Sequence, residues 1–250
     1  MLSSATTKLV QSETKLFLRD PIALFFGLVF PSVLLLALGG FFPGFADEPS
    51  ADLGFLRYID AYTPIAIGLG LATLGLVTLA PILGTYRQFG ILRRLRTTPI
   101  HPARLLWAQM ALHLVVAILA LVGAMTVAVV AFDVVFPENV VAFVFVFLLG
   151  AGAIFSVGLL VGALARTTSA AAAIGMSIYF PLLFLGGVWI PRQVMPDGLR
   201  LVSDLTPLGA AVAAMDDAWF AGTLSVAPLL VMAAYIVVVG FLAIRVFRWE

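Results

Sequence analysis

Hydrophobic residues fill six long stretches of this chain, and the charged residues lie almost entirely between them. The first stretch, 22–42, has 21 residues without a charge. As a helix it is about 31 Å long, which matches the hydrocarbon core of a bilayer. The apolar run over 140–191 is too long for one helix. It breaks at Arg166, because a charge at mid-membrane costs about 3 kcal/mol. The predicted spans are 22–42, 61–84, 105–132, 140–165, 170–190 and 223–245.

Composition agrees with this pattern. The 250 residues are 62% hydrophobic and 11% charged, whereas about a quarter of residues carry charge in soluble proteins. Six spans leave only loops, so we predict an all-α integral membrane protein with one transmembrane domain, 1–250. The first apolar run is too long for a secretory signal, and we expect no cleaved signal peptide. The absence of cysteine excludes disulfides and thiolate metal sites.

The segment 1–20 is polar on one side and apolar on the other, which predicts an amphipathic helix at the membrane surface. A frayed, solvated tail is the alternative, since Glu13 and Leu18 interrupt the pattern. The polar face holds Ser4, Lys8, Gln11, Lys15 and Arg19, and the apolar face holds Leu2, Ala5, Leu9, Leu16 and Phe17.

The distribution of charge predicts the orientation. With both termini in the cytoplasm, eleven of the fourteen Lys and Arg residues lie inside. The outer face then keeps only Arg57, Arg192 and Arg200, together with ten of the thirteen acids. The positive-inside rule therefore places both termini in the cytoplasm.

Charged side chains are missing from the predicted spans, except for Arg245 at the last position of the sixth. Ion-coupled carriers normally need such groups at depth, so this class is disfavoured. Coupling through backbone carbonyls stays open, because Pro31, Pro64, Pro81 and Pro181 interrupt helices. The sequence also has no nucleophile elbow, metal-ligand cluster or phosphate-binding loop. We therefore predict no catalytic residue, no metal site and no ATP hydrolysis by this chain alone.

Two features within the spans invite a structural or a functional interpretation. His113 is the one titratable side chain in an apolar span. It either faces a polar cavity or ligand, or forms a hydrogen bond to a neighbouring helix. Gly158 and Gly162 form a G-x-x-x-G pair that allows another helix to approach closely, from this chain or from another.

The loop between the second and third spans is basic and periodic. Apolar residues recur every three positions, and prolines follow, which predicts a short helix over 86–98. The periodic residues are Tyr86, Phe89, Leu92 and Leu95, the prolines Pro99 and Pro102, and the arginines Arg87, Arg93, Arg94, Arg96 and Arg104. A lipid-surface anchor and a simple topology signal are the alternatives to a protein-binding role.

In this loop the chain resembles the type 2 permeases of ABC transporters, in particular the daunorubicin-resistance group of drug exporters. Their coupling helix has an acidic residue, a glycine, an arginine-leucine cluster and Thr-Pro, and the segment 88–99 is similar to it. Gln88 departs from the glutamate often found there, which puts a salt bridge through that position in doubt. A second similarity lies between the fifth and sixth spans, at Ile190-Pro191, Met195-Pro196 and Thr206-Pro207-Leu208.

Short helices are expected in that second region. Pro196 and Pro207 each suit the first turn of a helix, the latter with Thr206 as N-cap. The segment 205–215 is too apolar for an ordinary outer loop. We therefore predict short re-entrant helices that enter the outer leaflet.

The resemblance implies a permease subunit of an ATP-driven exporter. It implies two separate ATPase subunits that bind ATP and Mg²⁺, a second permease copy or paralogue, and no cofactor on this chain. Arg87 and Arg94 share a helical face and are the first candidates to meet acidic residues of the ATPase. The expected coupling residues are Arg87, Gln88, Phe89, Gly90, Leu92, Arg93, Arg94, Leu95, Arg96, Thr97, Thr98 and Pro99.

The predicted substrate is a small lipophilic or amphipathic compound, drug-like or antibiotic-like, because the spans offer apolar surface without charge. Export of a lipid, glycan precursor or peptide is one alternative, and a non-transport anchor or sensor subunit is another. We expect no nucleic-acid partner and a bacterial cell-membrane location, with a role in multidrug efflux and antibiotic resistance. Residues that are candidates for the substrate path are Phe25, Phe26, Phe41, Phe42, Tyr62, Tyr179, Phe180, Phe184 and Trp189.

Overall fold

A computed structural model describes residues 4–91 and 103–246, with side chains given for 11–91 and 105–246. These parts are almost entirely helical. The helices are α1 (Ser4–Leu18), α2 (Pro21–Phe41), α3 (Tyr58–Gln88), α4 (Ala103–Phe132), α5 (Val140–Leu164), α6 (Thr168–Leu185), α7 (Asp197–Asp204), α8 (Pro207–Asp216) and α9 (Val226–Val246).

Six of the helices in the described residues are long and apolar enough to cross a membrane, namely α2 to α6 and α9. The predicted all-α, six-span membrane fold is thereby confirmed. Several helix ends lie a few residues from the predicted span ends. Helix α3 starts at Tyr58 rather than at 61, and α6 ends at Leu185 rather than at 190. The end of α6 comes early because Gly187 adopts φ +94°, a conformation that suits glycine and stops a helix.

Polar side chains define where several helices begin. The Oδ1 atom of Asp20 accepts hydrogen bonds from the backbone N–H groups of Ile22 and Ala23, both at 3.0 Å, and Pro21 occupies the first turn. Thr206 caps α8 through Gly209 N–H at 3.0 Å, followed by Pro207. These contacts satisfy N–H groups that the first helical turn leaves without a partner. The expectation of Thr206 as N-cap is confirmed.

Helix α3 is the most buried spanning helix and packs against α2, α4, α5, α6 and α8. Its contact with α5 depends on glycine. A Cβ added to Gly158 would lie 2.1 Å from the carbonyl oxygen of Gly75, and one added to Gly162 would lie 2.7 Å from Cβ of Leu83. The helix partner that the G-x-x-x-G pair left open is therefore α3 of the same chain.

At the predicted outer end, Arg57 joins three segments. Its guanidinium pairs with Asp60 at 2.7 Å and donates to the carbonyl oxygens of Ala46 at 3.2 Å and Phe132 at 2.9 Å. A short antiparallel pair, β1 (Pro49–Ser50) and β2 (Leu56–Arg57), leads into α3 just before this point. The start of α3, the end of α4 and the loop after α2 are thus held together by one side chain.

Two short helices, α7 and α8, connect α6 to α9. Ser203 Oγ donates to the carbonyl oxygen of Leu185 at 2.6 Å, and Gly209 lies against Ser203. Helix α8 is buried along nearly its whole length against α3 and α5. The apolar character of the segment therefore reflects packing within the chain, while its re-entry into the outer leaflet stays a prediction.

The start of the predicted coupling helix is corrected. Tyr86, Arg87 and Gln88 are the last residues of α3, and the chain then turns at Gly90, which has φ +64°. The spacing of apolar residues continued from the span into the loop without a break, so the sequence pattern did not reveal this boundary. The remainder of the segment 86–98, from 92 onward, lies outside the described residues.

Candidate functional site

The predicted cytoplasmic end of α3 is bonded to the link between α5 and α6. The Nη1 atom of Arg87 donates to the carbonyl oxygens of Ala163 at 2.7 Å and Ala165 at 3.2 Å. These carbonyls belong to the C-terminal end of α5, where the helix leaves acceptors without partners and carries partial negative charge. A guanidinium at this position stabilises the helix end and ties α3 to it.

A second set of contacts joins α3 to the start of α6. Oε1 of Gln88 accepts hydrogen bonds from the backbone N–H and the hydroxyl of Thr168, both at 3.0 Å. The hydroxyls of Thr85 and Thr168 lie 2.9 Å apart, and a Cβ on Gly84 would come within 2.9 Å of the carbonyl oxygen of Thr167. The two helices therefore meet through both side chains and backbone.

Nη1 of Arg87 and Oε1 of Gln88 are directed to their own chain. The contact of these two residues with an ATPase stays a prediction. Phe89 follows them with 62% of its surface exposed. The predicted coupling residues Leu92, Arg93, Arg94, Leu95, Arg96, Thr97, Thr98 and Pro99 lie outside the described residues.

A buried polar cluster lies next to this junction, between α1, α3 and α4. Tyr86 donates its hydroxyl hydrogen to Oε2 of Glu13. Gln109 Nε2 donates to the same oxygen at 2.6 Å and lies 2.7 Å from the Tyr86 hydroxyl. Burial raises the pKa of Glu13, and the two donors partly oppose that rise.

The amphipathic pattern of 1–20 does not indicate this cluster, because Glu13 interrupts that pattern. A signal was present, because Gln109 and His113 are four residues apart and share one face of an otherwise apolar helix. Polar side chains at that spacing in a span mark a polar contact with a neighbouring helix.

Both ring nitrogens of His113 lie within hydrogen-bond distance of atoms in the same chain. Its Nδ1 atom lies 2.9 Å from the carbonyl oxygen of Gln109, and Nε2 lies 3.1 Å from Oγ1 of Thr78. The ring is fully buried, with edge contacts to Phe17 and Phe155. The interpretation as a residue bonded to a neighbouring helix is the one that the structure supports.

The aromatic residues predicted for a substrate path fall into two groups. Tyr62 and Tyr179 are half-buried, with the Tyr62 hydroxyl bonded to the carbonyl oxygen of Val188 and the Tyr179 hydroxyl 2.9 Å from Oγ1 of Thr73. The other seven are exposed on the surface of the single chain: Phe25, Phe26, Phe41, Phe42, Phe180, Phe184 and Trp189.

A second polar cluster lies at the predicted outer end and was also missed. Arg192 pairs with Asp204, and Gln193 Nε2 lies 3.4 Å from Oδ2 of Asp216. Burial raises the pKa of Asp216 to about 8, although nearby Arg192 and Arg200 act in the opposite direction. Within the described ranges, no group of three His, Asp or Glu residues has a geometry suited to a metal ion.

The family model described as "ABC-2 type transporter" matches residues 5–220. The chain belongs to this family. The resemblance to the type 2 ABC transporter permeases is thereby confirmed, and the ABC-2 domain is a membrane transport component rather than a catalytic one. Family membership implies an ATPase partner and a membrane setting. No curated protein matches the sequence.

Proposed function

We propose that this ABC-2 permease is the membrane subunit of an ATP-driven exporter of lipophilic or amphipathic, drug-like compounds. Two ATPase subunits on separate chains bind ATP and Mg²⁺, and a second permease copy or paralogue completes the transporter. The subtype closest to this proposal is the daunorubicin-resistance group, in a bacterial cell membrane. The junction between α3, α5 and α6 is the observation that carries the proposal.

The junction offers a physical route from an ATPase to the spans. When the ATPases close on ATP, they displace the segment 86–98. Arg87 and Gln88 hold the first residues of that segment to the end of α5 and the start of α6. A displacement there moves three spanning helices together. Because α3 also packs against α2 and α4, the movement reaches most of the bundle.

Coupling also requires that the segment dock differently in the two ATPase states, since a contact that is equal in both transmits no free energy. The arginines beyond Gly90 supply the charge for such a contact. Arg93 and Arg94 bear fixed charges that suit acidic residues on a partner. In this proposal Arg93 and Arg94 contact the ATPase, and Arg87 and Gln88 transmit the resulting displacement to α5 and α6.

The substrate class follows from the chemistry of the spans. The six candidate spans offer aliphatic and aromatic surface, and seven of the nine proposed path aromatics are exposed on the single chain. Exposed aromatic residues are available to line a path between two permeases. Such a path suits compounds with a large apolar body.

The test replaces Arg93 and Arg94 together by Glu and measures assembly with the ATPase and drug-stimulated ATP hydrolysis. We expect both to be lost, because the change reverses the charge of the docking segment. The control is Arg200→Glu, an exposed residue at the predicted outer end, which should leave both unchanged. Unaltered assembly and turnover in the double variant would contradict the coupling role.

Efflux measurements separate the proposal from its competitors. ATP-dependent efflux of a lipophilic dye from cells that express the permease with its ATPase supports an exporter. Efflux that collapses with an uncoupler while ATP is maintained indicates an ion-coupled carrier. A complex without an ATPase and without an efflux phenotype indicates an anchor or sensor subunit.

A further inference from the structure

A cavity of about 240 Å³ opens beside the cluster of Glu13, Tyr86 and Gln109, at the predicted cytoplasmic end. Its walls come from α1, α2, α3 and α4. One side is apolar, with Phe17, Ile82 and Leu112, and the other side is polar. The residues on the polar side are Glu13, Asp20, Thr85, Tyr86 and Gln109. The cavity therefore presents a polar end and an apolar wall at the level where a lipid headgroup region is expected.

The polar side contains an acceptor atom that the described residues leave without a donor. Among those residues, both hydrogen bonds to the Glu13 carboxyl end on Oε2. Oε1 of Gln109 is buried and has no hydrogen-bond partner, and only 1% of the Gln109 surface is exposed. A buried acceptor without a donor costs about 1–3 kcal/mol, so an occupant that donates hydrogen bonds here recovers that cost.

Two acidic residues, Glu13 and Asp20, line the cavity, and no Lys or Arg does among the lining residues that the structure describes. An adjoining cavity of about 170 Å³ shares Asp20, Ile82 and Thr85 and extends towards Phe26 on α2. The two cavities form a continuous acidic and apolar surface along the sides of α2 and α3.

We propose that this cavity binds the protonated amine of an amphipathic compound, with the ammonium between Glu13 and Gln109 and the apolar body along Phe17, Ile82 and Leu112. An ammonium group brings three donors and one positive charge. It matches the free acceptor of Gln109 and the carboxylate of Glu13 together. A neutral or anionic headgroup leaves the carboxylate without a counter-charge.

The inference rests on the proposed function in one respect, because it names the chemistry of an exported compound that enters from the inner leaflet. The same chemistry has a second source in the amine headgroup of an ethanolamine phospholipid. Burial raises the pKa of Glu13 in the empty site. An ammonium beside the carboxyl acts in the opposite direction, because a neighbouring positive charge favours the carboxylate form.

The experiment measures binding to the full-length chain in nanodiscs of phosphatidylcholine, with empty nanodiscs as background. The probes are a primary alkylamine that carries an environment-sensitive fluorophore and its N-acetylated counterpart, which has the same body without the charge. We expect the wild type to bind the amine at least about tenfold more tightly than the acetylated form, since a charge-assisted hydrogen bond contributes on that scale.

Glu13→Gln removes the charge and keeps the shape and the acceptor for Tyr86. We expect it to lose the preference for the amine while its affinity for the acetylated probe stays unchanged. Glu13→Asp keeps the charge and should retain the preference. Glu48→Gln, at an exposed site on the predicted outer side, is the matched control and should behave as the wild type does.

A wild type without preference for the amine, or a Glu13→Gln variant that retains it, overturns the proposal. Nanodiscs that contain ethanolamine phospholipid identify the source. Competition that depends on Glu13 indicates the lipid, and its absence together with ATP-driven export of the amine indicates a transported compound. Failure of wild-type cells to export a neutral lipophilic dye contradicts the proposed function and leaves the binding result standing.

Discussion

Replacing Gly158 by Ala tests the close approach of α5 to α3 at its tightest point. The new Cβ would lie 2.1 Å from the carbonyl oxygen and 2.9 Å from the carbonyl carbon of Gly75, whereas ordinary contact begins at 3.4 Å. The shortfall to the oxygen is about 1.3 Å, and both partners are backbone, so no side-chain rotation relieves it. The helices must separate, which also opens the neighbouring contact between Gly162 and Leu83.

The expected cost follows from these distances. Overpacking of a filled core typically costs about 1–3 kcal/mol and occasionally more. A rigid backbone contact belongs at the upper end of that range, so we expect about 3 kcal/mol, from which the better helix propensity of alanine subtracts up to about 1 kcal/mol. At about 2–4 °C per kcal/mol for a chain of this size, Tm should fall by roughly 4–12 °C.

The assay is thermal unfolding of the purified permease in detergent, followed by tryptophan fluorescence. Gly40→Ala is the matched control, because Gly40 is also helical and a Cβ there meets nothing within 4 Å. It should melt at the wild-type temperature or slightly above. If Gly158→Ala melts with the control, the close contact between α3 and α5 does not exist and the packing argument fails.

Three further predictions concern the ends of the bundle. Arg57→Gln removes the pairing with Asp60 and the bonds to backbone carbonyls, so the permease should lose about 2 kcal/mol of stability, measured as a fall in Tm. An unchanged Tm would contradict the role of Arg57 in holding the three segments together. Gln88→Ala leaves the first N–H of α6 at Thr168 without its acceptor; we expect normal assembly with the ATPase but uncoupled hydrolysis, in which ATP turnover persists and dye efflux falls severalfold. Loss of assembly would instead place Gln88 in the docking surface. Burial raises the pKa of Asp216 to about 8, above its unfolded value of about 3.9. Between these two pH values the folded chain keeps a proton on Asp216 that the unfolded chain has lost, so the stability of the folded state declines as the pH rises from about 4 to about 8. Asp216→Asn should remove this contribution to the slope of Tm against pH, and equal slopes in the two proteins would refute the prediction.

The sequence determined the spans and their number because membrane insertion is a local requirement. Each crossing needs about 20 apolar residues in succession, and that condition is visible in any window of the chain. Helix N-caps could also be predicted from the sequence, because they depend on a few neighbouring residues. Thr206 and Pro207 form a local start signal, and the structure uses them as expected. The basic loop after α3 is also visible in the composition, but the first residues of the predicted coupling helix, 86–88, are the end of α3.

Only the tertiary structure decided which side chains meet. Glu13 and Gln109 are 96 positions apart and Gln88 and Thr168 are 80 apart. Periodicity assigns a residue to a face of its helix and does not say which helix covers that face. Gly158 shows the same limit, since the sequence predicted a close helix partner and the structure identified it as Gly75 of α3. The cluster of Glu13, Tyr86 and Gln109 depends on helix packing over long separations, because its members come from α1, α3 and α4.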